Sequence, residues 1–154
     1  MRRFNFKLEP VLRYRGMIEE QRKMDFAREA ASYERALKAL EDIRNRIGEV
    51  EREFRSKNAE GMTAAEARIY LYYLSSLREI ERIRHEEFEA ASRKMEEARV
   101  KLMRARRDRK IIETLKDRAF ELYREEVKRG ERKLIDEVSA NKVARSSAIE
   151  RLSP

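Results

Sequence analysis

Residues 26–54 read FAREAASYERALKALEDIRNRIGEVEREF, and their spacing decides the fold. Phe26, Tyr33, Leu40, Ile47 and Phe54 recur every seven residues, with Ala36, Ile43 and Val50 at the intervening positions. A seven-residue apolar repeat keeps one stripe of a helix against a neighbouring helix, so the stretch predicts a coiled-coil seam. Working back from it, Pro10 suits the first turn of a helix, where its missing N–H loses no bond, and helix one is expected over about 9–57. Gly16 and Gly48 lower its local stability by about 1 kcal/mol each relative to Ala.

Working forward, the seam stops after Phe54. Ser56, Lys57, Asn58 and Gly61 leave helical geometry easily and predict a turn over about 58–62. Thr63 followed by Glu66 reads as a capping box, each side chain bonding the other residue's free backbone N–H, so helix two starts there and runs to about 140. Its apolar positions include Leu74, Leu77, Ile80, Phe88, Met95, Leu102, Ile112, Leu115 and Leu122, with Ala91, Ala98 and Ala105 repeating at seven. Residues 141–154 are polar and are expected to fray.

Folding the two stripes onto each other about a turn near residue 60 pairs Ile47 with Leu74, Leu40 with Ile80, Tyr33 with Phe88, Phe26 with Met95 and Ile18 with Leu102. The expected fold is therefore an all-α, two-helix antiparallel coiled-coil hairpin of a single domain, with a longer, overhanging second helix. The same register sets Leu12 against Arg109 and leaves the chain beyond about residue 112 without an internal partner. That tail keeps Ile112, Leu115, Ala119, Leu122 and Tyr123, an apolar stripe that calls for an external partner.

Composition supports a seam rather than a globular core. Of the 154 residues 44% are charged, against about 25% in an ordinary domain. There are only four Gly and two Pro. Absence of Cys excludes disulfides, thiolate metal sites and Cys nucleophiles. The longest apolar run, residues 69–74, is far short of the roughly 20 residues a membrane span needs. A cytoplasmic protein is expected.

Chemistry is sparse. His85, the only histidine, has neither an i+4 His nor a Cys cluster, so it is no zinc site. The abundant carboxylates are expected as helix-surface ion pairs. No GxxxxGK[ST] loop or GxSxG elbow is present. The reading is a non-enzymatic chain with no cofactor.

Three surfaces remain. Ile69, Tyr70, Leu71, Tyr72, Tyr73 and Leu74 wrap more of a helix than one partner can cover, so some face outward near the tip; Tyr is favoured at interfaces. Residues 99–118 carry nine Lys or Arg against three acids, with Arg104, Arg106, Arg107, Arg109 and Lys110 as the basic patch. Such a patch prefers an acidic partner. The third surface is the helix-two tail together with Phe4, Phe6 and Leu8.

The opening Arg3, Phe4, Asn5, Phe6, Lys7, Leu8, Glu9, Pro10, Val11, Leu12, Arg13 resembles the basic-F-x-F-x-L-x-x-V/L-L-x-x-R start of the flagellar export protein family FliJ. The tail residues Glu113, Leu115, Lys116, Asp117, Arg118, Leu122, Tyr123, Arg124, Glu125, Glu126, Glu131, Leu134, Asp136 and Glu137 are similar to that family's E-x-L-K-x-R…Y-R-x-E…E…L-D-E ending, from which Gly130 departs. The resemblance implies a stalk-like component of the flagellar type III export apparatus, peripheral to the inner membrane. It implies binding to the export ATPase FliI, the export gate FlhA and export chaperones, and promotion of ATPase assembly and activity. Phe4, Phe6, Leu8, Arg13, Arg118, Tyr123, Arg124 and Leu134 match the motif and are carried over as ATPase contacts. Tyr70, Tyr72 and Tyr73 are the expected gate-binding patch. The competing readings are a basic hairpin gripping nucleic acid, which lacks a recognition motif, and a stalk of a non-flagellar type III system.

Overall fold

The computed structural model describes residues 3–150. Two helices, α1 (Glu9–Gly61) and α2 (Ala64–Glu150), account for nearly all of them and pack against each other as a helical hairpin; no strand occurs among the described residues. α1 holds 53 residues and α2 holds 87. Ahead of α1 the chain is not helical; the Glu9 N–H donates to the Phe6 carbonyl at 3.1 Å and the Leu12 N–H to the Leu8 carbonyl at 2.9 Å, so Pro10 enters the first turn without an orphaned donor.

The connection is shorter than the polar residues suggested. α1 runs through Ser56, Lys57 and Asn58 as exposed helix and stops only at Gly61, which adopts φ 104°. Polar residues tolerate a solvated helix; the left-handed conformation that ends one demands Gly. Only Met62 and Thr63 lie between the helices. The capping box forms as read: the Thr63 N–H donates to Glu66 Oε2 at 3.0 Å, and the Glu66 N–H donates to Thr63 Oγ1 at 3.2 Å. α2 continues through the segment expected to fray as far as Glu150, and the rest of that segment lies outside the described residues.

The chain divides into two compact units. One comprises residues 17–106. It contains every buried residue among those described: Leu40, Val50, Leu74, Leu77, Ala91, Ala98, Leu102, Ala105 and, alone among charged residues, Glu19. Val50, Leu74 and Leu77 form its tightest cluster, with Ile43, Ile47 and Tyr70 packed on them. Tyr33 and Phe88 meet ring to ring at 5.3 Å, and Phe54 meets Tyr70 at 5.7 Å.

This register corrects three expected pairs, the first being Phe26, which lies level with Ala98 rather than Met95. Leu40 is buried, but Ile80 is 41% exposed, because the α2 seam runs through Leu74, Glu81, Phe88, Met95 and Leu102. Glu81 takes the seam position instead and accepts from Arg44 Nε at 2.8 Å. Likewise Glu19, not Ile18, is buried at the level of Ala105 and Arg106. These differences go with α1 extending to Gly61, which moves the facing residues along α2.

The other unit joins the N-terminal stretch through Gly16 to the chain from Arg107 onward. None of its described residues is buried. Leu12, Ile112, Ala119 and Tyr123 are half-buried, and Phe4 caps them, lying edge-on to Phe120 at 5.1 Å and tilted against Tyr123 at 5.5 Å. Lys116 Nζ pairs with Glu9 Oε2 at 2.8 Å and Arg15 Nη1 with Asp108 Oδ2 at 3.2 Å. Such solvated pairs contribute about 0–1 kcal/mol each, so this unit rests on its aromatic contacts.

Candidate functional site

In the terminal unit the aromatic cap is built by residues far apart in sequence. Phe4 and Tyr123, both nominated from the sequence, are brought together, and Phe120, which sequence reading missed, completes the group. Phe120 was legible in principle, lying one residue past Ala119 on the seam repeat. Phe6 is half-buried, and Leu8 is on the exposed side at 39%. Arg13, Arg118 and Arg124 are exposed, and no contact draws them into the cap.

Beyond Val127 the environment changes. Every residue from 128 to 145 is exposed, and Leu134 at 63% is joined by Ile135 at 62% and Val138 at 61%, two residues the sequence reading did not name. Tyr123, Val127, Leu134 and Val138 follow one face of α2 at helical spacing, so the stripe beneath Phe4 continues bare along the helix. Long apolar side chains held in water along one face mark an interaction surface. A second exposed row, Ile111, Leu115 and Leu122, runs along another face of the same segment.

In the unit of residues 17–106, the aromatic run near the connection splits as a helix must. Leu74 is buried; Tyr72 is 80% exposed, Ile69 70% and Tyr73 40%. Tyr70 turns inward: its ring packs on Phe54, its hydroxyl donates to Glu53 Oε1 at 2.8 Å, and Lys57 Nζ lies 5.5 Å from the ring centre. The hydroxyl bond holds the Glu53 carboxyl below its ordinary range, with Lys57 adding to the effect. Of the three nominated tyrosines, Tyr72 and Tyr73 thus share an outward face, and Tyr70 does not join them. Ala65, Arg68, Ile69 and Ser76 line a shallow depression with those two. Ile80 and Ile83, 41% and 43% exposed, prolong the same face. The residues 69, 73, 76, 80 and 83 repeat at alternating steps of four and three, so α2 carries a second, largely exposed heptad stripe. It is touched by Arg46 of α1, which lies 5.9 Å from the Tyr73 ring centre and donates to its hydroxyl at 3.4 Å.

The basic run is less free than its composition implied. Arg104 and Arg107 are exposed. Arg106 Nε stands 3.6 Å from buried Glu19. Lys110 Nζ and Arg109 Nη1 reach Glu113 at 3.0 and 3.4 Å, and they hold its carboxyl below the ordinary range, the Lys110 bond most. His85 is exposed, with Nε2 3.4 Å from Glu89 across one turn. Among the described residues no group of His, Cys, Asp or Glu is placed to hold a metal ion, and no helix is long and apolar enough to cross a membrane.

What this arrangement offers is contact surface: a bare apolar helix tail beside an aromatic cap, and an aromatic face near the connection. Comparison with curated proteins and with solved structures gave no match. A family model described as the flagellar FliJ protein matches residues 4–148, from the aromatic N-terminal stretch to near the end of α2. Nearly the whole chain is covered, and the protein therefore belongs to the FliJ family, a component of the flagellar type III export apparatus.

Proposed function

We propose that this chain acts as a non-enzymatic stalk that binds the export ATPase FliI through its terminal unit and promotes assembly and activity of the ATPase. The observation that carries the reading is the stripe Tyr123, Val127, Leu134 and Val138, covered by Phe4 at one end and bare from there on. An amphipathic helix that leaves its apolar face exposed stabilises itself by docking. Phe4, Phe6 and Leu8 flank the start of this surface, and Arg13, Arg118 and Arg124 supply exposed charge for acidic groups on the ATPase. The exposed Arg104 and Arg107 serve the same purpose, whereas Arg106, Arg109 and Lys110 are engaged by carboxylates.

The outward face with Tyr72 and Tyr73 is the gate-binding patch for FlhA in this reading, with Ile69 taking the place first given to Tyr70. Export chaperones are further partners, and the chain acts at the cytoplasmic side of the inner membrane, held there by its partners rather than by insertion.

The test is titration of the full chain, and of a form ending after Val127, into the cognate export ATPase. The full chain is expected to promote ring assembly and raise hydrolysis. The shortened chain keeps the Phe4 cap and its fold but loses the bare stripe, and it is expected to do neither. Equal stimulation by both forms would sink the proposed contact end.

A further inference from the structure

The seam of the residue 17–106 unit is unusually repetitive along α2. Large residues recur at Phe88, Met95 and Leu102, small buried ones at Ala91, Ala98 and Ala105, and Arg99 stands one heptad before Arg106. On α1 a bulky residue occupies each corresponding position from Phe26 to Phe54. The observed register, anchored by Phe54 on Tyr70, Tyr33 on Phe88 and Glu19 at Arg106, sets Phe26 level with Ala98 and Glu19 level with Ala105. It also sets Ile43 and buried Leu40 level with the charged Glu81 and Arg84.

Sliding α2 by one heptad keeps the pattern against residues 19–43 of α1, while Val50 passes from the level of Leu74 to that of Ala67. Phe26 then meets Ala91, Glu19 meets Ala98 and exchanges Arg106 for Arg99, and Leu40 and Ile43 meet Leu77 and Leu74 in place of the charged pair. The connection moves to Asn58, a residue suited to leaving a helix. Residues 55–61 are all exposed, so near the connection that move breaks only the contacts that Phe54, Glu53 and Lys57 make with Tyr70. Beside the Phe4–Phe120 and Lys116–Glu9 contacts of the terminal unit, two local devices at the connection select the observed register. Gly61 at φ 104° ends α1, and the Thr63–Glu66 capping box starts α2. Both belong to the connection rather than to the seam.

We propose that this hairpin has a second register, one heptad from the observed one, and slides between the two with the connection acting as the latch. Each slide carries one helix about 10 Å along the other. It draws the Tyr72 face about one helical turn away from the connection, so a pull on one helix changes what the tip presents.

The chain has no Cys, so register can be read by placed thiols in the full-length protein. Ala30 and Ser92 occupy facing flanks in the observed register, and His85 takes the place of Ser92 in the slid one. Arg78, a further heptad away, is a control. With a short bifunctional maleimide, Ala30→Cys/Ser92→Cys is expected to cross-link fastest. Ala30→Cys/His85→Cys is expected to react more slowly, yet at least ten times faster than Ala30→Cys/Arg78→Cys. Adding Gly61→Ala and Thr63→Ala releases the latch and should speed the His85 pair about tenfold while slowing the Ser92 pair. If the His85 pair reacts only at the rate of the Arg78 control in both backgrounds, there is no second register. Should the latch variants fail to fold, the comparison in the otherwise unaltered chain decides alone.

Discussion

Leu40 and Ile80 are both long aliphatic residues on amphipathic helices, yet one is buried and the other is 41% exposed. Truncating Leu40 to Ala empties a packed site and is expected to cost about 2–5 kcal/mol in urea unfolding. Ile80→Ala should change the unfolding free energy by less than about 0.5 kcal/mol. Hydropathy alone could not separate the two, because Glu81 holds the seam position by reaching Arg44, and an ion pair at a seam is invisible to an apolar count. Thr63 and Glu66, by contrast, were fully legible: a capping box is local chemistry at fixed spacing and needs no knowledge of the partner helix. Thr63→Ala is expected to cost about 1 kcal/mol. The Glu66 carboxyl is held below its ordinary value of 4.5, chiefly by the Thr63 backbone N–H. A carboxyl lowered in the fold contributes stability that is complete above its unfolded pKa and is lost as pH falls through the folded value. Unfolding midpoints recorded from pH 6 down through about pH 3 should therefore fall less steeply in Glu66→Gln than in the parent chain.

At the scale of the element, the two helices differ in what holds them. The α1 seam from Phe26 to Phe54 has a partner along its whole length, which is why its seven-residue repeat read so clearly. The expected end of α1 near residue 57 rested on residues that leave a helix easily; the observed end at Gly61 rests on the residue the left-handed turn requires. Residues 128–145 of α2 are all exposed, and a helix that buries no face is marginal in water. Amides of residues 128–145 should exchange far faster than those near Leu77 and Leu102, and slow markedly once a partner docks on Leu134 and Val138. Gly130 is exposed, and a Cβ built there meets nothing within 4 Å. Gly130→Ala is thus expected to favour the helical tail by about 1 kcal/mol, seen as slower exchange around it and higher helicity by circular dichroism.

For the molecule as a whole, composition and repeat were enough to reach a helical hairpin with a longer second helix, since a chain so rich in charge has only a seam to bury. The candidate surfaces were legible in outline and not in detail. The aromatic cap joins Phe4 to Phe120 and Tyr123 across most of the chain length, and Tyr70 turned inward through a hydroxyl bond to Glu53, a choice between helix faces that adjacent tyrosines leave open in sequence. The basic run lost part of its freedom to Glu19 and Glu113, carboxylates whose reach depends on the fold. Exposed apolar side chains occur on both helices, Tyr14, Met17 and Met24 on α1 among them, but α2 carries the longest such stripes, in the bare tail and in the face around Tyr72. Docking of the tail is therefore the step on which stimulation of the ATPase depends in the proposed function. The most direct measurement is hydrolysis by the cognate export ATPase as this chain is added, for the parent and for Leu134→Glu/Val138→Glu. The parent is expected to raise the rate, and the double variant to leave it at the basal level with an unchanged melting temperature; stimulation by the variant equal to that of the parent would contradict the account.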